Sequence, residues 1–309
     1  MKTIKSITAS LALLSGLLGS NILLPEDIKA AECQASGTIS GADFVSRYGT
    51  GAPGDPAGSE SGEGMCYGTP SKYEISIYEM GVCTSAPITS SFSTVAANAI
   101  SGFGTTDYDS VDTSVCTKTT SGTWTGDLSG GASFNMGTGT KPAAGTYTHA
   151  YIILGNTFGL KGSYKLTDGG GTTYYSNGVS SGSTNVDNTT GTATPVAFTE
   201  TLTSFNGGGS CEHVGREQFT TGTPGFLTAV VADSTATTPA VAKTCSSGSI
   251  SRLVGMFEPD TPITISDSTT GLKVTFTVTS SGMSVIGNGA GAINQVGSGP
   301  FRTKFDIIE

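Results

Sequence analysis

The segment Lys72–Met80 reads KYEISIYEM, and its apolar and polar residues alternate one by one. Tyr73, Ile75 and Ile77 therefore share one face of an extended chain, because successive side chains of a β-strand point to opposite sides. This two-residue period is typical of a strand with one buried face. Helical periodicity is hard to find in the rest of the chain beyond its first thirty residues. The sequence thus predicts an all-β protein.

A second segment, Thr146–Leu154 (TYTHAYIIL), is rich in β-branched and aromatic residues and becomes continuously apolar. Strands that are buried on both faces have this composition, so the segment predicts a more central strand. Five further segments carry strand-like patterns: Gly162–Thr167, Thr172–Ser176, Val196–Phe205, Phe226–Ala232 and Ile250–Phe257.

The last part of the sequence predicts a hairpin and one more strand. Ile263–Ser266 and Leu272–Thr279 flank the turn-like stretch Asp267–Gly271, as two strands joined by a turn would. Phe301–Ile308 predicts a final strand. Only Thr94–Ile100 (TVAANAI) has the composition of a short helix.

The cysteines of the chain are even in number and almost evenly spaced. They are Cys33, Cys66, Cys83, Cys116, Cys211 and Cys245. Taken as successive pairs, their positions lie 33, 33 and 34 residues apart. An even number of cysteines in an exported chain predicts a disulfide framework. Six cysteines allow fifteen connectivities, so nearest-neighbour pairing is one hypothesis among them.

The first thirty residues have the layout of a secretory signal peptide. Lys2 and Lys5 precede an apolar stretch over residues 7–24, and Ala30 and Ala31 offer a small-residue cleavage site. Small and polar residues interrupt the apolar stretch, so a membrane span is not expected. We expect a protein that is secreted to the cell exterior or the cell surface, with the periplasm as an open alternative.

The charge balance of the chain argues against two classes of partner. Removing residues 1–30 takes away three lysines and two acidic residues, which leaves 12 basic and 22 acidic side chains and a net charge of −10. Nucleic acid and anionic lipid are therefore poor partners, because both are bound through clustered Lys and Arg. Charged residues make up 13% of the chain, about half of the usual share. Low charge and many Gly, Ser and Thr residues favour an extracellular β-protein with long loops.

The domain organisation follows from these patterns. Residues 1–30 are predicted to be the signal peptide, and residues 31–65 an N-terminal arm with the Gly/Pro-rich linker Gly49–Gly64. Residues 66–309 are predicted to form one disulfide-stapled antiparallel β-sandwich. The loop-like stretch Ser176–Thr194 is rich in Gly, Ser and Thr, and a split into two domains near residues 176–194 is an open alternative.

One short stretch is similar to a known class of module. Pro142–Leu154 (PAAGTYTHAYIIL) resembles the turn-into-strand of secreted prealbumin-like β-sandwich modules, among them the stalk repeats of bacterial surface proteins. The resemblance implies a β-sandwich that serves as a building or presentation element. It carries no functional residue over to this sequence.

Residues with catalytic potential are few. His149 lies in the predicted strand Thr146–Leu154, and we interpret it as a strand histidine whose partners are its neighbours. His213 follows Cys211 closely, but a disulfide-bonded sulfur cannot act as a nucleophile. The GVSSG stretch Gly178–Gly182 lies in a loop and lacks the strand–helix elbow that exposes a catalytic serine. The sequence predicts no catalytic residue, no cofactor and no enzyme activity.

Asp107, Asp109 and Asp112 are the best metal candidates in the sequence. Closely spaced carboxylates suit calcium, but the twelve-residue EF-hand pattern is missing. We interpret the group as a solvated acidic turn, with a structural calcium site as the open alternative.

Aromatic residues supply a candidate binding surface. Trp124 is the single tryptophan, and Tyr174 and Tyr175 are adjacent, so one of the two tyrosines faces away from the core if they lie in a strand. Exposed aromatic rings stack on sugars or on partner proteins. Burial of Trp124 in the core is the alternative interpretation.

Export, a disulfide framework, low charge and the lack of a reactive group together predict a structural or surface-assembly protein, such as a subunit of an extracellular filament or coat. An unpaired terminal strand gives a physical route to self-association, because its backbone groups can pair with a neighbouring subunit. Phe301–Ile308 and the arm Ala35–Tyr48 are the two candidate donor strands. Two alternatives remain open: an adhesin-like module that binds a glycan or a surface protein, and a secreted hydrolase whose acidic residues converge in space.

Overall fold

The computed structural model describes residues 32–48, 64–90, 108–120, 122–130, 139–180, 184–205, 214–219, 222–233 and 250–309. The described chain is all-β with antiparallel sheets, as the sequence predicts, while the sandwich arrangement of those sheets stays a prediction.

Helix α1 spans Gly41–Tyr48, the short helical segment α2 spans Asp168–Gly171, and a 3₁₀ turn spans Thr113–Val115. The strands are β1 (Gly64–Gly68), β2 (Lys72–Cys83), β3 (Ile88–Ser90), β4 (Tyr108–Val111), β5 (Cys116–Lys118), β6 (Trp124–Asp127), β7 (Gly145–Tyr147), β8 (His149–Gly155), β9 (Thr157–Lys161), β10 (Ser163–Lys165), β11 (Thr173–Ser176), β12 (Val186–Thr189), β13 (Phe198–Thr201), β14 (Val214–Phe219), β15 (Gly225–Asp233), β16 (Ile250–Pro259), β17 (Ile263–Ile265), β18 (Gly271–Thr277), β19 (Met283–Gly287), β20 (Ile293–Ser298) and β21 (Arg302–Ile308).

The largest sheet is antiparallel and has the order β13-β9-β2-β8-β16-β15-β14. The short strands β5 and β6 also pair with β2. The predicted strand Lys72–Met80 is confirmed and continues to Cys83. Tyr73, Ile75 and Ile77 are all buried, as their alternation predicts. Strand β8 lies between β2 and β16, which confirms the central position predicted from its apolar run.

Both faces of the central strands are buried. On β8, Ile152 and Leu154 belong to the main core, whereas Tyr151 and Ile153 belong to a second cluster. Two faces that need apolar side chains explain why this strand reads as a continuous apolar run. The smaller sheets β1-β19-β20 and β10-β11-β12 contribute further side chains to the main core.

Helix α1 completes the main core. Ser40 begins it, because its hydroxyl accepts a hydrogen bond from the Asp43 amide at 3.1 Å and donates one to the Asp43 carboxylate at 2.6 Å. Phe44 and Tyr48 lie one turn apart on the helix, and both are buried in the core. The expectation that Ala35–Tyr48 is an extended donor strand is therefore wrong.

Two disulfides fix the described chain. Cys33 bonds Cys66 and ties the segment before α1 to β1, and Cys83 bonds Cys116 across the β2–β5 pair. Nearest-neighbour pairing is confirmed for these four cysteines. Cys211 and Cys245 lie outside the described residues.

The predicted hairpin of Ile263–Ser266 and Leu272–Thr279 is wrong, although both segments contain strands. Strand β17 pairs with β7, and β18 pairs with β21. The turn at residues 266–269 leads the chain from one pairing to the other, because Ile263 and Ile265 pack beside Tyr147 while β18 continues alongside β21. Local sequence could not distinguish this arrangement from a hairpin.

The stretch Ser176–Thr194 is not loop throughout, since β12 lies within it and pairs with β11. The buried amide of Asn185 bonds the backbone of Val296 twice, at 2.7 and 2.9 Å, and Val186 lies in the main core. The domain division near 176–194 stays a prediction. Thr94–Ile100 and residues 49–63 of the predicted linker lie outside the described residues.

Candidate assembly site

Strands β18 and β21 form a two-stranded antiparallel ribbon beside the central sheet. Seven register pairs join them, from Gly271 opposite Ile308 to Thr277 opposite Arg302. The last predicted strand, Phe301–Ile308, is thereby confirmed as a strand, beginning one residue later than expected. Its pairing along the whole length of β18 gives it a complete ladder on one side.

The two faces of β21 have different surroundings. Phe301, just before the strand, and Thr303 within it are both buried, whereas Lys304 is exposed. Such an alternation is typical of a strand that packs one face against a core. The ribbon therefore presents an inner face to the protein and an outer face to solvent.

Aromatic rings fasten the ribbon to the sheet below it. The ring of Phe305 stacks on that of Phe257, with centroids 5.6 Å apart and planes inclined by 25°. Within the ribbon, Phe301 meets Phe276 of β18 edge to face at 5.2 Å. These geometries are the favourable ones for aromatic pairs. The ribbon is therefore anchored by large apolar contacts as well as by its ladder.

A small cleft of about 30 Å³ lies between the ribbon and the sheet. It is lined mainly by apolar side chains, among them Met80, Phe257 and Phe276. A cleft of this size has room for only a few water molecules. Little space is therefore left between β21 and the sheet.

The two outer edges of the ribbon differ. Beside β21, the Thr223 amide donates to the Thr303 carbonyl and the Phe305 amide donates to the Thr223 hydroxyl, both at 3.1 Å. Beside β18, no strand in the described part of the chain pairs with the outer edge. The ribbon thus has one edge that is partly capped and one that borders no other described strand.

The residue after β21, Glu309, is held by hydroxyl groups of the turn between β17 and β18. Ser268 donates a hydrogen bond to the Glu309 carboxylate, and Ser266 and Thr269 approach its oxygens at 3.3 Å. These hydrogen bonds, led by that of Ser268, lower the pKa of Glu309, and the positive charge of Lys141 contributes. We call Ser266, Ser268 and Thr269 the hydroxyl nest.

The chain just before β21 is fixed at Gly299. The Gly299 amide donates to the Gly282 carbonyl at 3.0 Å. A Cβ at position 299 would collide with the Ser281 carbonyl oxygen, so only glycine fits there. After Gly299, Pro300 alone separates this fixed point from Phe301.

A buried tyrosine supplies the second hold on Gly299. The Tyr73 hydroxyl donates to the Gly299 carbonyl at 2.8 Å. Burial, with the nearby charge of Glu200, raises the pKa of Tyr73, so its phenol stays protonated as a donor. Strand β2 of the central sheet and the start of β21 are therefore connected through one side chain.

Arg302, the first residue of β21, touches the other end of the described chain. Its guanidinium makes an ion pair with Glu32 and donates to the Ser280 carbonyl at 3.3 Å. Glu32 adjoins the Cys33–Cys66 disulfide. The segment that the Cys33–Cys66 disulfide joins to β1 therefore meets strand β21, which has no disulfide, at this ion pair.

The histidine and serine candidates from the sequence do not form a site with the ribbon. His149 is half-buried at the start of β8, its Nδ1 lies 2.8 Å from the Thr148 hydroxyl, and burial lowers its pKa. Its nearest polar partner is thus its chain neighbour, as the sequence predicts. His213 lies outside the described residues, as do parts of Gly178–Gly182.

The aspartate candidates take up separate positions. The Asp112 carboxylate caps the 3₁₀ turn by accepting from the Ser114 amide at 2.9 Å, and this contact lowers its pKa. Asp109 lies in β4, and Asp107 lies outside the described residues. Within the described ranges, no group of three or more His, Cys, Asp or Glu residues is placed to hold a metal ion.

The aromatic candidates are also dispersed. Trp124 is partly buried against the main core, with its ring over Gly126. Tyr174 packs against the same core, and Tyr175, its neighbour on β11, is half-buried. Neither tyrosine is fully exposed.

Sequence reasoning finds β21 but misses Glu309, Thr223 and the hydroxyl nest. The one available signal is the run of hydroxyl residues in SDSTT, residues 266–270, which the sequence presents as an ordinary turn.

Across the described parts of the chain, no helix has the length and apolar character needed to cross a bilayer. Comparison with protein-family models, with curated proteins and with solved structures found no match.

Proposed function

We propose that this protein is a secreted structural or surface-assembly protein, a subunit of an extracellular filament or coat whose copies are joined by β-strand addition. The added strand is β21, which leaves its own ribbon and occupies the equivalent groove of a neighbour. Exchange of an identical element requires little net free energy, because the interactions broken within one copy form again between two copies.

The observation that carries this proposal is the way in which β21 is held. Its ladder partner is β18, its rings fill a groove, and no disulfide joins it to the rest of the described chain. The rival donor segment, Ala35–Tyr48, follows the disulfide-bonded Cys33 and contains helix α1, which packs in the core. Strand addition through main-chain hydrogen bonds with side chains in a groove is a recurring mode of protein association.

The test is a pair of cysteines placed across the ribbon. Thr275 lies opposite Lys304 in the β18–β21 register, and neither side chain is buried. We expect the mature Thr275→Cys/Lys304→Cys protein, oxidised at assembling concentration, to give a ladder of covalent multimers on a denaturing, non-reducing gel. The bond then joins β18 of one copy to β21 of another.

The controls are the two single variants and the double variant oxidised at high dilution. Each single variant lacks one half of the bond, and dilution should trap β21 in its own ribbon as a covalently closed monomer. A product that is monomeric at every concentration would overturn strand addition through β21.

Electron microscopy and size-exclusion chromatography of the signal-cleaved wild type test the broader claim. Regular filaments or sheets are the expected result. A clean monomer at high concentration would contradict a structural role, and glycan-array binding would then test the adhesin-like alternative.

A further inference from the structure

The hydroxyl nest is organised by its own contacts. The Ser266 amide donates to the Thr269 hydroxyl at 3.0 Å, and the hydroxyls of Ser266 and Ser268 lie 2.8 Å apart. The Thr269 amide donates back to the Ser266 carbonyl at 3.2 Å. None of these bonds involves β21, so the nest is a preformed receptor for whatever enters it.

The nest suits a carboxylate. Hydroxyl groups donate well to an ionised oxygen, and such charge-assisted bonds are stronger than neutral ones. The Lys141 ammonium lies beside it, donating to the Asp267 carbonyl at 3.2 Å. The chain has a net charge of −9, yet this turn places three hydroxyl groups and the Lys141 ammonium close to the Glu309 carboxylate.

We propose that the hydroxyl nest is the recognition site for Glu309 of a second copy of this chain, so that Glu309 sets the register of the added strand. The inference rests on the proposed function and names the contact that gives it specificity. Ladder hydrogen bonds are nearly independent of sequence, and a shift by two residues would keep the same faces inward. Only the correct register brings Glu309 to Ser268 while Phe305 meets Phe257.

Each copy carries both halves of this contact, a nest and a Glu309. A contact between two different surfaces of the same chain is head-to-tail and propagates from copy to copy. A second copy of this chain is therefore a sufficient partner, because the groove and the nest are already complementary to β21 and Glu309.

The test exchanges charges between two chains. In Ser268→Glu the altered nest repels Glu309, and in Glu309→Lys the altered residue loses the hydroxyl contacts. Either change alone removes the contact equally from the closed monomer and from the junction between copies, so each variant alone should associate within about twofold of the wild type.

An equimolar mixture of the two variants should associate more strongly than either variant alone. The carboxylate introduced into the nest of the S268E chain then receives the ammonium introduced at the end of the E309K chain. At the other junction, the unaltered nest of the E309K chain receives Glu309 of the S268E chain. Because the closed monomers of both variants lack a matched pair and both mixed junctions have one, association in the mixture should exceed that of the wild type by about fivefold.

Two controls accompany the mixture. The chain that carries both changes should assemble as the wild type does, because its new pair is present both within one copy and between copies. Asp306→Lys reverses a charge on the same strand outside the nest, where Asp306 contacts Lys304, and mixing it with Ser268→Glu should not strengthen association.

The outcomes separate the inference from the proposed function. A mixture that associates no more strongly than the separate variants overturns the role of the nest while leaving strand addition intact. A wild type that assembles to no multimers, together with a cysteine variant that stays monomeric, overturns strand addition itself. Light scattering of the full mature chains gives the readout.

Discussion

Residues 32–48 and strand β21 pack into the protein from opposite ends of the described chain, yet they are held by different means. The first segment contributes Phe44 and Tyr48 from a helix and is joined to β1 through Cys33–Cys66. Strand β21 contributes aromatic rings and a ladder of backbone hydrogen bonds with β18, and no disulfide joins it to the rest of the described chain. Burial alone therefore does not decide which element can be exchanged. On the proposed function the cross-link makes the difference, because the Cys33–Cys66 bond keeps the first segment attached to its own copy.

The largest expected difference between the two regions is in packing. Phe44 is fully buried, so Phe44→Ala should lower the free energy of unfolding by about 3–5 kcal/mol. Phe305 is only partly buried, and Phe305→Ala should lower it by about 1–2 kcal/mol. Urea unfolding of the mature protein measures both values. Equal losses would remove the contrast between a fixed and a releasable element.

The second prediction removes the cross-link. Cys33→Ser/Cys66→Ser should destabilise the protein by about 3–4 kcal/mol and make the segment around α1 sensitive to protease. The matched control is Cys83→Ser/Cys116→Ser, because that bond also joins two cysteines with a sequence separation of 33. By the chain-entropy argument, the control should lose a similar free energy without cleavage in α1. Identical cleavage patterns in the two variants would contradict the tethering role.

The smallest effect concerns pH. The folded-state pKa of Glu309 lies below its ordinary value of 4.5, so the stabilisation from the nest is present at neutral pH and disappears as the pH falls below that value. Wild type should have a slightly higher Tm than Glu309→Gln at pH 7, and the difference should decrease as the pH falls below 4.5. Asp112 and Asp127 titrate in the same acidic range, and the comparison at each pH cancels them because both proteins carry them. A gap that persists unchanged at pH 3 would exclude the carboxylate as its source.

Strands β2, β8 and β21 could be predicted because each carries its pattern locally. The alternation in β2 indicates a strand with one buried face, and the continuous apolar run of β8 indicates a strand with two. Both patterns can be seen in the sequence because apolar residues occupy the buried positions. Helix α1 could not be predicted, because two turns with a single pair, Phe44 and Tyr48, leave too little periodicity to detect. The partner of β18 is equally hidden, since the choice between β17 and β21 depends on packing against distant residues.

The candidate site divides in the same way. The sequence predicts a strand at Phe301–Ile308 and a turn at Asp267–Gly271 as two separate features. That Ser268 meets Glu309, 41 positions away, depends on the β18–β21 register and on nothing visible in either segment alone. The disulfides are an intermediate case, because spacing suggests the pairs and the structure shows two of them, Cys33–Cys66 and Cys83–Cys116.

The anchoring of Gly299 by Tyr73 and Gly282 has a consequence for the symmetry of an assembly. If β21 enters a neighbour, the rotation between consecutive subunits is concentrated at Pro300, because the chain is clamped on one side and seated in a groove on the other. Proline restricts φ to a narrow range near about −65°. The joint is then stiff and identical at each step, which produces a helix of constant pitch or a closed ring in place of a flexible string of beads.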